Sequence, residues 1–251
     1  MRTITIANHK GGCGKSTTAM ILTQGLARRG FRTLLIDLDS QGNTSYSLSD
    51  DIERIPISKI FSEKNIDIFR PKGGTDPKIF AVTSEWCLSD QRQKFSILAF
   101  REALERVSAL FDYVVIDTAP ALNELLVLAI SVSDRVIIPM QADIYSMQGL
   151  SREIDIIEDI RERTNQPIEI AGLLLLRYNP RNTLSKSIYN QLGIIADKLG
   201  TKVYKATIRE SIAIKECQYL KANLFRDYKR NKVVADCNAF IDEFLSDLKR
   251  S

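Results

Sequence analysis

The apolar run Thr3-Ile4-Thr5-Ile6-Ala7 leads into Lys10-Gly11-Gly12-Cys13-Gly14-Lys15-Ser16-Thr17, and few segments leave a chain less choice of fold. Three glycines free the backbone to turn N–H groups inward, a cradle that suits a polyphosphate. Lys15 adds a point charge for the outer phosphates and Ser16 a hydroxyl able to ligate Mg²⁺, while a helix opening near Ser16 supplies the positive end of its dipole. A glycine-rich turn that binds nothing is the plain alternative. The strand before the loop and the helix after it argue against that reading.

Strands and helices alternate along the rest of the chain. Apolar runs predict strands at Thr3–Ala7, Thr33–Asp37, Ile79–Val82, Tyr113–Asp117, Arg135–Met140 and Ile168–Leu176, mostly continuous, as in strands buried on both faces. Apolar residues three and four apart predict helices at Ser16–Arg29, Gln93–Phe111, Ser146–Thr164, Leu184–Leu199 and Val233–Lys249. The expected fold class is α/β, a single doubly wound, mostly parallel sheet with helices on both faces, in one domain spanning residues 1–251. Residues 45–78, with the turn Pro71-Lys72-Gly73-Gly74, are expected to be a surface excursion.

Two carboxylate-bearing segments extend the loop into a site. Leu34-Leu35-Ile36-Asp37-Leu38-Asp39-Ser40-Gln41-Gly42-Asn43 ends a strand with two aspartates, and Tyr113-Val114-Val115-Ile116-Asp117-Thr118-Ala119-Pro120 ends another with one. Asp39 would reach the same carboxyl edge of the sheet as the phosphate loop, where open α/β folds bind ligands. An aspartate ending one strand is ordinarily a cap or turn residue; three motifs in this order instead suggest a triphosphate site. Asp117 would hold a metal-bound water, and Asp39 would orient or deprotonate the attacking water. The metal set read here is Ser16, Asp39 and Asp117.

Composition narrows the setting. No run of about eighteen apolar residues is present to span a membrane. The first strand begins so near Met1 that no signal peptide is expected, and the cytoplasm is the expected location. Cys13, Cys87, Cys217 and Cys237 show no metal-ligand spacing, so neither disulfides nor structural zinc are expected.

The run KGGCGKST, with DLDSQGN, IDTAP and Ile137-Ile138-Pro139-Met140-Gln141, resembles the ParA/MinD family of dimerising ATPases over nearly the whole chain. The loop takes that family's deviant form, with His9 where the ordinary pattern has glycine. By this resemblance the cofactors are ATP and Mg²⁺, the enzyme is an ATPase acting as a switch, and Lys10 reaches across to the partner's nucleotide in a homodimer. Lys10 and Asp39 are then the catalytic pair. ATP binding falls to Lys10, Gly11, Gly12, Cys13, Gly14, Lys15, Ser16 and Thr17, with the adenine near Arg177 and Arg209. Two positions depart from the pattern: Ser40 and Arg209 each replace a family proline.

Within the family, nitrogenase iron proteins place a cysteine where this chain has Thr118. MinD proteins end in a basic amphipathic helix, whereas the last segment here carries Asp242, Glu243 and Asp247, which anionic lipid would repel. Charge instead favours DNA. From Arg177 to Ser251 there are fifteen Lys and Arg against eight Asp and Glu, although the whole chain is only +4. Such asymmetry suits sequence-independent contact with duplex phosphates; a solvated basic face is the plainer alternative. The DNA-binding candidates are Arg181, Lys186, Lys205, Arg209, Lys215, Arg226, Lys229, Arg230 and Lys232. The resemblance therefore implies a ParA/Soj-type partition ATPase, nucleoid-associated and stimulated by a ParB-like partner, with no stable membrane association. The alternatives are a MinD-like membrane positioning ATPase and a nucleotide-binding regulator that hydrolyses nothing.

Overall fold

A computed structural model of the chain describes residues 1–49, 52–62, 69, 78–89 and 96–249. Among the described residues seven strands form one sheet: β1 (Arg2–Ile6), β2 (Thr33–Asp37), β3 (Glu53–Pro56), β4 (Ile79–Thr83), β5 (Tyr113–Asp117), β6 (Arg135–Gln141) and β7 (Glu169–Leu176). Their order is β3-β4-β2-β5-β1-β6-β7, and all six pairings are parallel. Four strands lie on one side of β1 and two on the other. The crevice beside the carboxyl end of β1 is therefore the switch point at which such sheets bind ligands.

The helices are α1 (Lys15–Arg28), α2 (Asn43–Ser47), α3 (Ile57–Ser62), α4 (Ile97–Val107), α5 (Glu124–Ser131), α6 (Ile144–Thr164), α7 (Thr183–Lys198), α8 (Ile212–Tyr219), α9 (Leu224–Asp227) and α10 (Lys232–Leu248). Successive strand residues feed opposite faces. Leu35, Val115, Ile137 and Leu174 pack with α1, α8 and α10 on one side, while Leu34, Val114, Val136 and Leu173 face α4 to α7 on the other. Continuous apolar strands are the consequence of this double cover. Burying a Phe fully is worth about 1.5–3 kcal/mol, and α10 buries both Phe240 and Phe244 completely. The acidic C-terminal segment is thus a core helix, its apolar face spent on α1.

Residues 45–78 contribute more than a surface excursion. β3 is the edge strand of the sheet, and α2 and α3 flank it. The turn Pro71-Lys72-Gly73-Gly74 and the start of the expected Gln93–Phe111 helix lie outside the described residues.

Candidate nucleotide site

Gly14 sets the entry to α1. Its φ of 100° is left-handed, a conformation glycine adopts without strain, and a Cβ there would lie 2.0 Å from Leu176 Cδ1. The first turn of α1 has no side-chain cap, whereas Ser96, Asn123, Asp143, Asn182, Ser211, Asn223 and Asn231 cap α4 to α10. Uncapped N–H groups at a helix start are donors for an anion. The loop opens on a cleft of about 410 Å³ lined by Gly12 to Thr17, Asp39, Asn43, Tyr46, Ser47, Pro120, Gln141, Leu176, Arg177, Ile208 to Ser211, Ile214, Lys215 and Gln218. The phosphate loop, Asp39, Arg177 and Arg209, far apart in sequence, therefore share one cleft.

The two loop lysines differ in their surroundings. Lys15 is buried, and its Nζ donates to Lys10 O at 3.0 Å. Lys10 is half-buried, and its Nζ donates to Asp143 Oδ1 at 3.1 Å and to Ser146 Oγ at 3.0 Å, at the start of α6. Partial burial pushes the Asp143 carboxyl up, but the Ser146 N–H and Oγ and the Lys10 ammonium outweigh it and hold the group below its ordinary value. His9 also ties the loop to α6: its N–H and Nδ1 lie 2.8 and 2.7 Å from Glu153 Oε2. Cys13 is packed beneath the loop at 1% exposure, and burial pushes its thiol up.

Three aspartates sit beneath the loop. Asp37 accepts from Ser45 N and Oγ, both at 2.7 Å, and so anchors α2. Asp39 accepts Gln41 N–H at 3.0 Å, and its carbonyl takes Ser84 Oγ at 2.6 Å, which shapes the turn after β2. Asp117 is wholly buried, accepts Thr44 Oγ1 at 2.5 Å on one oxygen, and has no protein partner for Oδ1. Burial first, and then the charge of Asp37, lift its pKa to about 7, against hydrogen bonds from Thr44 and Ser16 and the charge of Lys15. A buried carboxylate oxygen without a donor costs energy, and beside Ser16 it suits a hydrated cation.

These features fit Mg²⁺ and a nucleoside triphosphate, and the comparisons with known proteins agree. The AAA domain family matches residues 1–170. The chromosome partitioning protein ParA of Caulobacter vibrioides is 32% identical over 225 residues, covering 86% of this chain and 83% of its own. The chain belongs to the ParA/Soj family of partition ATPases. Soj of Thermus thermophilus, a chromosome-partitioning ATPase, is 31% identical, with 86% of this chain and 84% of its own covered. A putative plasmid partition protein of Borrelia burgdorferi, solved with AMPPNP, is 26% identical, with a TM-score of 0.72 and 98% of each chain covered. The ParA/Soj assignment agrees with the resemblance read from KGGCGKST, DLDSQGN and IDTAP, and it makes the chain a P-loop ATPase.

Other candidates are dispersed. Arg209 forks onto Asp236 of α10 at 2.5 and 2.7 Å, so its guanidinium is already committed. Arg177 and Arg181 share a recess of about 440 Å³ with Arg209 beside the cleft, and Lys215 lines the cleft itself. Lys186 and Lys205 are exposed. Arg226 and Lys229 lie elsewhere, at the amino edge of the sheet, next to exposed Arg230 and Lys232. Sequence reading assigned no role to Thr44, Asp143, Gln141 or Gln218. Gln141 donates to Gly12 O at 2.5 Å and Gln218 to Thr17 Oγ1 at 3.3 Å; Gln141, at the end of an apolar strand, carried the one visible signal. Among the described residues, no helix is long and apolar enough to cross a membrane.

Proposed function

We propose that the chain is an ATP-driven partition switch that hydrolyses ATP, dimerises with ATP bound, and holds DNA without reading its sequence. The observation that carries this reading is the convergence of Gly12 to Thr17 and Asp39 on one cleft, above the orphan oxygen of Asp117. The α1 N–H groups and Lys15 bind the phosphates. Ser16 and Asp117 hold the Mg²⁺, with Asp39 at the edge of the same set; bound Mg²⁺ neutralises charge on the phosphate oxygens. Asp39 orients the attacking water and accepts its proton. Arg177 and the 208–210 turn flank the base.

Lys10 is the cross-subunit lysine. It lies about one-third exposed, held to Asp143 and Ser146 at the start of α6, and it must leave these partners to reach across to a second subunit. Dimerisation brings two basic C-terminal regions onto one assembly, and paired weak phosphate contacts multiply in affinity. A ParB-like protein bound at a centromere stimulates hydrolysis and release, and the chain works on the nucleoid in the cytoplasm.

The test is a duplex mobility shift beside light scattering and vesicle co-sedimentation, each with and without ATP. The expected result is ATP-dependent dimer mass and ATP-dependent retardation of every duplex alike. ATP-dependent binding to anionic vesicles with no DNA retardation would replace this reading by the membrane-positioning one.

A further inference from the structure

A second recess, of about 510 Å³, lies at the opposite edge of the sheet, between the C-terminal end of α1, the segment entering β4, and α9. Volumes of this size hold small molecules. Four cations line it from separate parts of the chain: Arg28, Lys78, Arg226 and Lys229. No carboxylate is among its described lining residues; Arg226 pairs with neighbouring Asp227 at 2.8 Å, and Lys78 and Arg226 each make a further interaction. Ile52, Ile79 and Phe225 make an apolar floor, and the Arg28 guanidinium lies 5.7 Å from the Phe225 ring centroid.

An independent observation points to a ligand. Gln24 lines the same recess and is 2% exposed, yet its Nε2 has no acceptor. Its Oε1 takes Leu224 N–H at 2.9 Å, which fixes the amide with a spare donor. Buried donors left unpaired are uncommon and call for a partner. Anion-binding cations, a stacked guanidinium, an apolar floor and an unpaired amide together describe a pocket for a phosphate group attached to a flat ring. A duplex offers its phosphates along a convex rod, which would touch the rim and leave the floor uncovered.

We propose that this recess is a second site, distinct from the ATP cleft, for a small phosphorylated ligand of the nucleoside diphosphate class. It meets the far end of the helix that begins at the phosphate loop, about 21 Å away at 1.5 Å per residue.

The test is equilibrium dialysis with ADP, GDP, CDP, UDP and inorganic tripolyphosphate. In Lys15→Ala, whose cleft should hold nucleotide about 10- to 100-fold more weakly, at least one nucleoside diphosphate is still expected to bind once per chain with undiminished affinity and more tightly than tripolyphosphate. Arg28→Glu with Lys78→Glu should weaken that binding at least about tenfold, and added salt should weaken it too. Should Lys15→Ala fail to fold, the wild type decides, with two nucleotides per chain expected and one per chain overturning the site. Absence of binding in folded Lys15→Ala, or binding indifferent to the charge reversals, also overturns it. So does a loss confined to DNA retardation, which would make the recess part of a DNA surface.

Discussion

Asp37 and Asp117 are register partners on β2 and β5, and neither has any solvent exposure. Two carboxylates at adjacent strand ends cannot both carry charge cheaply in so dry a place. Ser45 holds one, Thr44 holds half of the other, and α2 is thereby stitched beneath the phosphate loop. The proposed Mg²⁺ ligand Asp117 and the anchor of α2 are thus neighbours on adjacent strands.

That pair gives a pH prediction. Burial, then Asp37, raises Asp117 to about 7 in the folded chain, so folding takes up a proton. The associated stability is present below the unfolded value near 3.8 and is lost as pH rises through about 7. Without Mg²⁺ or nucleotide, wild-type Tm should fall from about pH 5 to about pH 8 more than that of Asp117→Asn. Calorimetry across this range checks it, and parallel curves would refute it. Mg²⁺ needs the ionised carboxylate, so its binding should weaken as pH drops below about 7.

Lys15 and Lys10 should separate in function. Lys15→Ala loses charge-assisted bonds to phosphate and should weaken nucleotide binding by about 10- to 100-fold. Lys10→Ala should bind nucleotide nearly as wild type yet remain monomeric and inactive. A fluorescent ATP analogue and light scattering measure the two properties; equal loss of nucleotide in both would end the cross-subunit assignment.

Asp39→Ala should slow phosphate release by about 10²–10⁴-fold while leaving ATP-dependent dimers and DNA retardation in place. Its carboxylate is buried and accepts Gln41 N–H at 3.0 Å, so the variant should also melt at a somewhat lower temperature. Wild-type turnover in this variant would shift the role to another aspartate.

Gly25→Ala tests the α1–α10 contact. Alanine gains about 1 kcal/mol of helix propensity over glycine, but a Cβ at this position would lie 2.6 Å from Ile241 Cγ1 and 3.2 Å from Phe225 Cζ. Overpacking costs about 1–3 kcal/mol, so the net effect in urea unfolding should be destabilising. A variant more stable than wild type would show that Ile241 yields freely.

Loop, strands and long helices were legible because each carries its signal locally. Thr33–Asp37 and Tyr113–Asp117 have the bounds read from sequence, since continuous apolar runs ended by aspartate admit little else. β3 was not read because a four-residue edge strand ending in Pro56 buries only Ile55 and offers no run. α5 was missed because Leu125, Leu126, Leu128, Ala129 and Ile130 are all buried, which erases the periodicity of an amphipathic helix. Partners such as Lys10 with Asp143, or Arg209 with Asp236, are set by tertiary folding and leave no trace in spacing.

The bare first turn of α1 makes the nucleotide a structural component as well as a substrate. Among the described residues α4 to α10 carry their own side-chain caps, whereas α1, like the short α2, opens on a glycine and carries none. Any ligand that binds only the folded chain adds stability by mass action, about 2.7 kcal/mol at a hundredfold excess over Kd. A nucleotide seated on that loop would therefore protect the folded chain against unfolding and proteolysis, and stripping nucleotide from the protein should shorten its survival in a protease digest.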